Sequence, residues 1–525
     1  MITEDQSEVL AFLASPSTHG GAPVERLETH ASVVFLAGPR AWKLKRAVRY
    51  DYLDFSSAER RKAMCEAELR ANRRTAPALY CRVLAVTREP DGSLALGGTG
   101  RPIEWLIEMV RFDQEALLDR RAARGALDVG LMGPLAAAIA RFHAEAAACP
   151  GHGGETAMAR VIDGNATGFA EQGSDFLDAA ACDVLTREAG DAVARDGAQL
   201  DNRRDQGFVR RCHGDLHLRN IVVLDGRPTL FDAIEFNDEI ACIDVLYDLS
   251  FLLMDLWRRH LPAHANAVWN GYLDETNDVD GIPLLPMFLS CRAAVRAKTS
   301  ATAAALQDDP QRQRELQEMA REYLSWAQRF LHPPAPCVVG VGGPSGVGKT
   351  VLARGIAPLV GPAPGAVVLR SDVIRKRLLG VDPVQRLGLD GYSAEASRLV
   401  YATLIDRASR VVRGGHVAIA DAVFGRLSDR EALEQAAKAA GVAFVGLWLE
   451  ASESDLVARA ASREADASDA DARVIRGQLA QDVGAITWHR IDASCTPEVV
   501  LRKALLILRE HLEVGTTRGD SSMQA

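Results

Sequence analysis

Between residues 32 and 112, short apolar runs separated by polar turns read as strands, broken by a charged helix predicted over about 57–75. Residues 113–331 carry the longer apolar spacing of helices, interrupted near 207–236 by short strands around a dense polar cluster. After residue 337 strand and helix alternate, with strands predicted near 337–342, 366–370, 416–420, 443–449 and 487–491. That alternation predicts a parallel sheet with helices on both faces. Three prolines in His332-Pro333-Pro334-Ala335-Pro336 cannot continue a helix and favour an extended linker. The expected organisation is an α+β unit over 1–331 (sheet lobe about 30–112, helical lobe about 113–331), a linker at 332–336, an α/β unit over 337–514, and a small, polar, frayed tail over 515–525.

Composition narrows the class without naming a chemistry. A chain of 525 residues, 48% hydrophobic and 25% charged, is ordinary globular material and too long for one core. The net charge of −9 gives no basic footprint for nucleic acid, so a nucleic-acid partner is disfavoured. No run of about 18 apolar residues implies a membrane span, and the N-terminus lacks the pattern of a signal peptide. Nine scattered cysteines without a C-x-x-C argue against a disulfide frame or a zinc site. A cytoplasmic protein is expected, with no protein partner implied.

The chemistry lies in two clusters. Gly343-Pro344-Ser345-Gly346-Val347-Gly348-Lys349-Thr350 fits G-x-x-x-x-G-K-[ST], directly after a predicted strand and at the head of an apolar helix. Glycines let consecutive N–H groups curl round a phosphate at the positive end of a helix. Lys349 adds a cation for the β/γ-phosphates, and Thr350 offers a hydroxyl to Mg²⁺. Asp372 and Asp421 end two predicted strands, where ligands gather in open α/β sheets, although Asp is also a common helix cap there. Arg375 shares a helical turn with Asp372, so a base and an anion-holding cation fall together. Arg459 and Arg463, four apart on a later helix, suit phosphate clamps on a closing lid, with a solvated helix face the competing explanation.

The second cluster is His213-Gly214-Asp215-Leu216-His217-Leu218-Arg219-Asn220, followed by Phe231-Asp232-Ala233-Ile234-Glu235. Asp-x-x-x-x-Asn is the spacing of a kinase catalytic loop: Asp215 orients and deprotonates a hydroxyl, while Asn220 and Asp232 hold metal. Metal hydrolysis is the rival reading of the alternating His213, Asp215 and His217, but the downstream Asn220 and Asp232 fit phosphoryl transfer better. A kinase site also needs a strand lysine paired with a helix glutamate. Lys43 in Ala41-Trp42-Lys43 is expected in that role, with Lys45 on the same face as the alternative. Glu66 is taken as its partner, and Glu68 remains open. The strand Pro102–Met109 is expected to lead into a hinge, placing the Met109 backbone at the adenine.

Over about 337–512 the chain resembles P-loop small-molecule kinases of the group that holds gluconate kinase, polynucleotide kinase and zeta-toxin-like kinases. The resemblance rests on the phosphate loop, Arg370-Ser371-Asp372-x-x-Arg375 and Ile419-Ala420-Asp421-Ala422. It implies Asp372 as the substrate-side base and Ile491-Asp492-Ala493-Ser494 near the adenine. Over about 30–300 the chain resembles the aminoglycoside-phosphotransferase and choline-kinase-like branch of the protein-kinase fold, on His213-Gly214-Asp215-Leu216-His217-x-x-Asn220. That branch uses Asp244 and Asp248 structurally. The order of the two resembles a bacterial family of fused phosphotransferase and ATP-binding proteins. The expected protein is a tandem kinase that uses ATP and Mg²⁺ on a small-molecule hydroxyl. The alternatives are a ligand-binding first domain regulating one active P-loop kinase or ATPase, and a nucleic-acid end kinase.

Overall fold

A computed structural model describes residues 3–50, 53–382, 385, 387, 389–461 and 472–512. They divide into two compact units, 1–167 with 190–255, and 168–189 with 256–525. Among the described residues no helix is long and apolar enough to cross a membrane.

The first unit is built on a six-stranded antiparallel sheet, in the order Val24–Glu28, Ser32–Ala37, Arg40–Lys45, Arg101–Val110, Tyr80–Arg88, Leu94–Leu96. Alternation along Arg40–Lys45 sends Trp42 and Leu44 into one apolar cluster with Val33, Phe35 and Leu106. Lys43 and Lys45 therefore share the opposite face, which the helix Ala58–Asn72 covers. Ser57 caps this helix by accepting from the Arg60 N–H at 3.3 Å. Its buried stripe is polar: Arg61, Cys65, Glu68 and Asn72, spaced by 4, 3 and 4 residues. Arg61 is satisfied by Glu104 of the neighbouring strand at 2.7 Å and by the Phe55 carbonyl at 2.9 Å.

The second unit contains a five-stranded, all-parallel sheet in the order Val367–Arg370, Ala418–Asp421, Cys337–Gly342, Ala443–Glu450, His489–Asp492. These are the five strands that the sequence pattern predicts, each end within two residues. Cys337–Gly342 is central, so the loop that follows it opens at the carboxyl edge where the strand order reverses.

The edge strand Val367–Arg370 is not left bare. The helix Pro262–Thr276 lies along it and bonds the backbone leading into the strand and the Val368 N–H. Asn266 Nδ2 donates to the carbonyls of Pro364 (3.1 Å) and Ala366 (3.0 Å). Asn270 Nδ2 donates to Ala366 O (3.1 Å), and Asn270 Oδ1 accepts from the Val368 N–H (2.7 Å). Four helical residues rise about 6 Å and two strand residues about 6.6 Å, so i,i+4 side chains keep step with alternate strand residues. The Pro-rich segment 332–336 lies inside this second unit. Asn270→Ala removes two of these bonds and leaves the strand N–H without its acceptor. It is expected to lower the stability of the full chain by about 1–3 kcal/mol in chemical denaturation, whereas a loss under about 0.5 kcal/mol would mark the contact as an ordinary surface one.

Two candidate phosphoryl-transfer sites

In the first unit, the strand, helix and loop that carry the expected residues meet at one cluster. Lys43 Nζ lies 2.8 Å from Glu68 Oε1 and 2.5 Å from Asp232 Oδ1. Lys45 Nζ lies 2.6 Å from Glu68 Oε2 and 2.5 Å from Glu235 Oε1. The expected Lys43–Glu66 pair does not form. Glu66 falls off the buried stripe and sits half-exposed beside Lys62 at 4.0 Å, while Glu68, fully buried, bridges both lysines. Burial pushes the Glu68 carboxyl up, but Lys43 and Lys45 outweigh it and hold it down at about 2. Burial opposes the charge on Lys43, yet Asp232 and Glu68 raise it well above the ordinary lysine value.

Asp232 adopts φ +63, in the left-handed region that non-glycine residues seldom enter. Its N–H is held by the Tyr80 hydroxyl at 3.2 Å, and the next N–H, of Ala233, by Asn72 Oδ1 at 2.8 Å. Asn220 Nδ2 donates to both Asp215 O and Asp215 Oδ2 at 2.9 Å, so the loop's spacing brings these two side chains into contact. His217 Nε2 approaches Asp215 Oδ2 at 3.3 Å, and a third of the Asp215 side chain faces solvent. Asp248 braces the loop from below by accepting from the N–H groups of His213 (3.1 Å) and Gly214 (2.8 Å). Asp244 pairs with Arg203 at 2.7 Å. Met109 is buried one residue from the strand's end and faces Ala41 and Tyr80 across the sheet.

In the second unit the phosphate loop turns through Gly346 (φ +83) and Gly348 (φ +100), positions that need glycine. A Cβ on Gly346 would stand 2.8 Å from the Leu456 carbonyl. Thr350 Oγ1 donates to Asp421 Oδ2 at 2.6 Å, and Arg370 lies 3.9 Å from the same oxygen. Lys349 Nζ donates to the Pro344 carbonyl at 3.0 Å. Burial and the neighbouring Asp421 raise the Asp372 carboxyl, against the pull of Lys349, Arg370 and Arg375. A carboxyl raised in this way is a stronger base than an ordinary aspartate. Arg375 Nη1 donates to the Gly391 carbonyl at 2.8 Å, and its guanidinium lies 4.7 Å from the Tyr392 ring centre. Arg459 Nη2 donates to the Ala493 carbonyl at 2.8 Å, in the segment expected near the adenine. Arg463 and the acidic stretch 465–471 that follows it lie outside the described residues.

Sequence reasoning missed two residues here. Gln478 Oε1 accepts from the Ser345 N–H at 2.8 Å, so a carboxamide occupies one amide of the phosphate loop. Asp274, one turn beyond Asn270, lies in the field of Arg370, Arg377, Arg354 and Arg407, and burial still raises it to about 6. The i,i+4 series 266, 270, 274 is the signal that would have found it.

The oxygen donors suit a hard cation in both places: Asn220 and Asp232 in the first, Thr350 and Asp421 in the second. The two glutamates separate cleanly by experiment. With MgAMP-PNP titrated calorimetrically in a Lys349→Ala background, Glu68→Gln is expected to weaken binding by about ten-fold or more, and Glu66→Gln by less than about two-fold. Equal effects would place the lysine's partner elsewhere.

Comparison with known proteins finds one family model over each of the two residue clusters. A model of the Phosphotransferase enzyme family matches residues 37–282, and an AAA domain model matches residues 338–481. An uncharacterized protein of Mycobacterium tuberculosis (strain ATCC 25618 / H37Rv) is 30% identical over 492 residues, 92% of this chain and 95% of that protein. One from Mycobacterium bovis matches to the same extent. Among solved structures, a choline/ethanolamine kinase family protein from Mesorhizobium loti is 15% identical over 62% of this chain and 98% of its own, with a TM-score of 0.41. A gluconokinase from Sinorhizobium meliloti 1021 is 22% identical over 34% of this chain and 93% of its own, with a TM-score of 0.25. At 30% identity over nearly its whole length, the chain belongs to the family of the mycobacterial proteins, and it joins a phosphotransferase-family domain to a P-loop AAA domain in one polypeptide.

Proposed function

We propose that the protein is an ATP-dependent phosphotransferase with two kinase-type sites, each moving the γ-phosphoryl of ATP to a hydroxyl of a small molecule. The modules proposed to carry them are residues 1–331 and 337–514. The observation that supports this most is the joint presence, in the first unit, of a Lys43–Glu68 pair, a strand-end Asp232 and an Asp215–Asn220 contact. Phosphoryl transfer needs little covalent chemistry from a protein and much positioning and charge neutralisation, which these side chains supply.

In the first site Asp215 accepts the proton of the acceptor hydroxyl, and its partly exposed carboxylate leaves room for that acceptor. Lys43 holds the phosphates, and the Met109 backbone lies toward the adenine. Asn220 and Asp232 are the residues to hold Mg²⁺, which on binding neutralises charge on the transferred group. In the second site the loop from Gly343 to Gly348 presents amides to the triphosphate and Lys349 adds its cation. Thr350 and Asp421 hold the metal, and Asp372 takes the acceptor's proton. Arg375 lies on the acceptor side and Arg459 toward the nucleotide.

Two point variants test the division. Asp215→Ala and Lys349→Ala are each expected to remove one phosphorylated product by about 10²–10⁴-fold and to leave the other, when a metabolite extract with ATP is followed by ³¹P NMR or mass spectrometry. Loss of both products in either variant, or intact transfer in both, would overturn the proposal. Asp372 must be deprotonated to act, and its carboxyl is raised, so activity surviving in Asp215→Ala should climb with pH through a midpoint above the ordinary Asp value of about 3.9. A midpoint at or below that value would remove Asp372 from the role of base.

A further inference from the structure

Five charged side chains of the first unit alternate in sign along one chain: Asp232, Lys43, Glu68, Lys45, Glu235. The successive separations are 2.5, 2.8, 2.6 and 2.5 Å. The two end carboxylates are three residues apart on one segment, so the chain closes on itself. Exposure falls from one end to the other. The Asp232 side chain is 41% exposed and Lys43 14%, whereas Glu68, Lys45 and Glu235 are at 0%, 2% and 5%. The open end is the one that faces nucleotide in the reading above, and the closed end is shut off from solvent.

The closed end has work to do when nucleotide binds. Asp232 cannot serve Lys43 and a cation equally, so Lys43 must exchange Asp232 for the phosphates. Lys43 is then held by Glu68 alone. A carboxylate with one partner is free to turn with it, but Glu68 has its second oxygen fixed by Lys45, and Lys45 is fixed by Glu235. The Phe55 ring, 4.8 Å from Lys45 Nζ, packs beside that ammonium. We propose that Lys45 and Glu235 are positioning residues for the nucleotide site: they lock Glu68 so that Lys43 leaves Asp232 for the phosphates and stays aimed at them. This rests on the reading of Lys43 as the phosphate lysine.

The arrangement carries a pH signature that a purely structural pair would not transmit to nucleotide. Burial raises the Glu235 carboxyl to about 7 against the pull of Lys45; the other charges bearing on it are Glu68 and Lys43. When Glu235 takes a proton, Lys45 is left to Glu68 alone and competes with Lys43 for it. The lock is therefore present above about pH 7 and fades as pH falls through that value.

The test titrates MgAMP-PNP into the full-length Lys349→Ala protein from about pH 6 to 8.5, with thermal unfolding followed in parallel. Lys43→Ala and Lys45→Met should each weaken binding by about ten-fold or more at pH 8, and Lys45→Arg should recover to within about three-fold of the parent. The parent's affinity should fall below about pH 7, and Glu235→Gln should abolish that pH dependence by binding at pH 8 as weakly as the parent does at the acid end. If Lys45→Met binds like the parent while Lys43→Ala does not, or if Glu235→Gln keeps the parent's pH dependence, the positioning role is wrong. If Lys43→Ala itself binds like the parent, the reading of the site fails instead. Should Lys45→Met not fold, the Glu235→Gln pH profile decides alone.

Discussion

Glu68 has no exposed surface and gives one carboxylate oxygen to Lys43 and the other to Lys45. A charge taken out of water has to be matched by an opposite one with good geometry, or it destabilises the fold by several kcal/mol. That requirement fixes the helix Ala58–Asn72 against the strand Arg40–Lys45 and, through Asp232 and Glu235, the segment that follows the His213–Asn220 loop. The second unit meets the same constraint with fewer charges: buried Asp421 is held by the Thr350 hydroxyl and by Arg370. In both units the side chains that satisfy buried charge include one proposed to bind nucleotide or metal, Lys43 in the first and Thr350 in the second. A chemistry made almost wholly of positioning thus draws on the contacts that make these cores possible.

The parallel sheet of the second unit adds a different constraint. A parallel edge strand presents unpaired amides and carbonyls, and Val367–Arg370 is such a strand. The covering helix, Pro262–Thr276, belongs by sequence to the segment matched by the phosphotransferase family model. Arg370, at the end of that strand, immediately precedes Ser371 and Asp372 and approaches Asp421. The side chains of Asn266, Asn270 and Asp274 consequently support a strand whose end carries the candidate base.

Much of this was legible because backbone requirements leave marks in sequence. The phosphate loop, the five parallel strands and the Asp215–Asn220 spacing follow from glycine, alternation and fixed offsets. The partner of Lys43 was harder to read. Ala58–Asn72 buries a polar stripe, so hydrophobicity does not reveal its inner face, and Glu66 and Glu68 look alike by residue type. Spacing separates them, since Glu68 stands three residues after buried Cys65 and four before buried Asn72, whereas Glu66 is adjacent to Cys65. Lys45 was visible as a same-face alternative to Lys43; that both lysines share one carboxylate is a fact of three dimensions. Gln478 lies 133 positions from Ser345 and bears no motif, so only the fold could bring it to the phosphate loop.

Nucleotide stoichiometry tests the central claim of two separate sites most directly. Native mass spectrometry of the intact chain with MgAMP-PNP should show two nucleotides bound per polypeptide. Lys43→Ala and Lys349→Ala should each reduce that to one, and the double variant to none. A wild-type chain that saturates at one nucleotide, or a single variant that loses both, would contradict it.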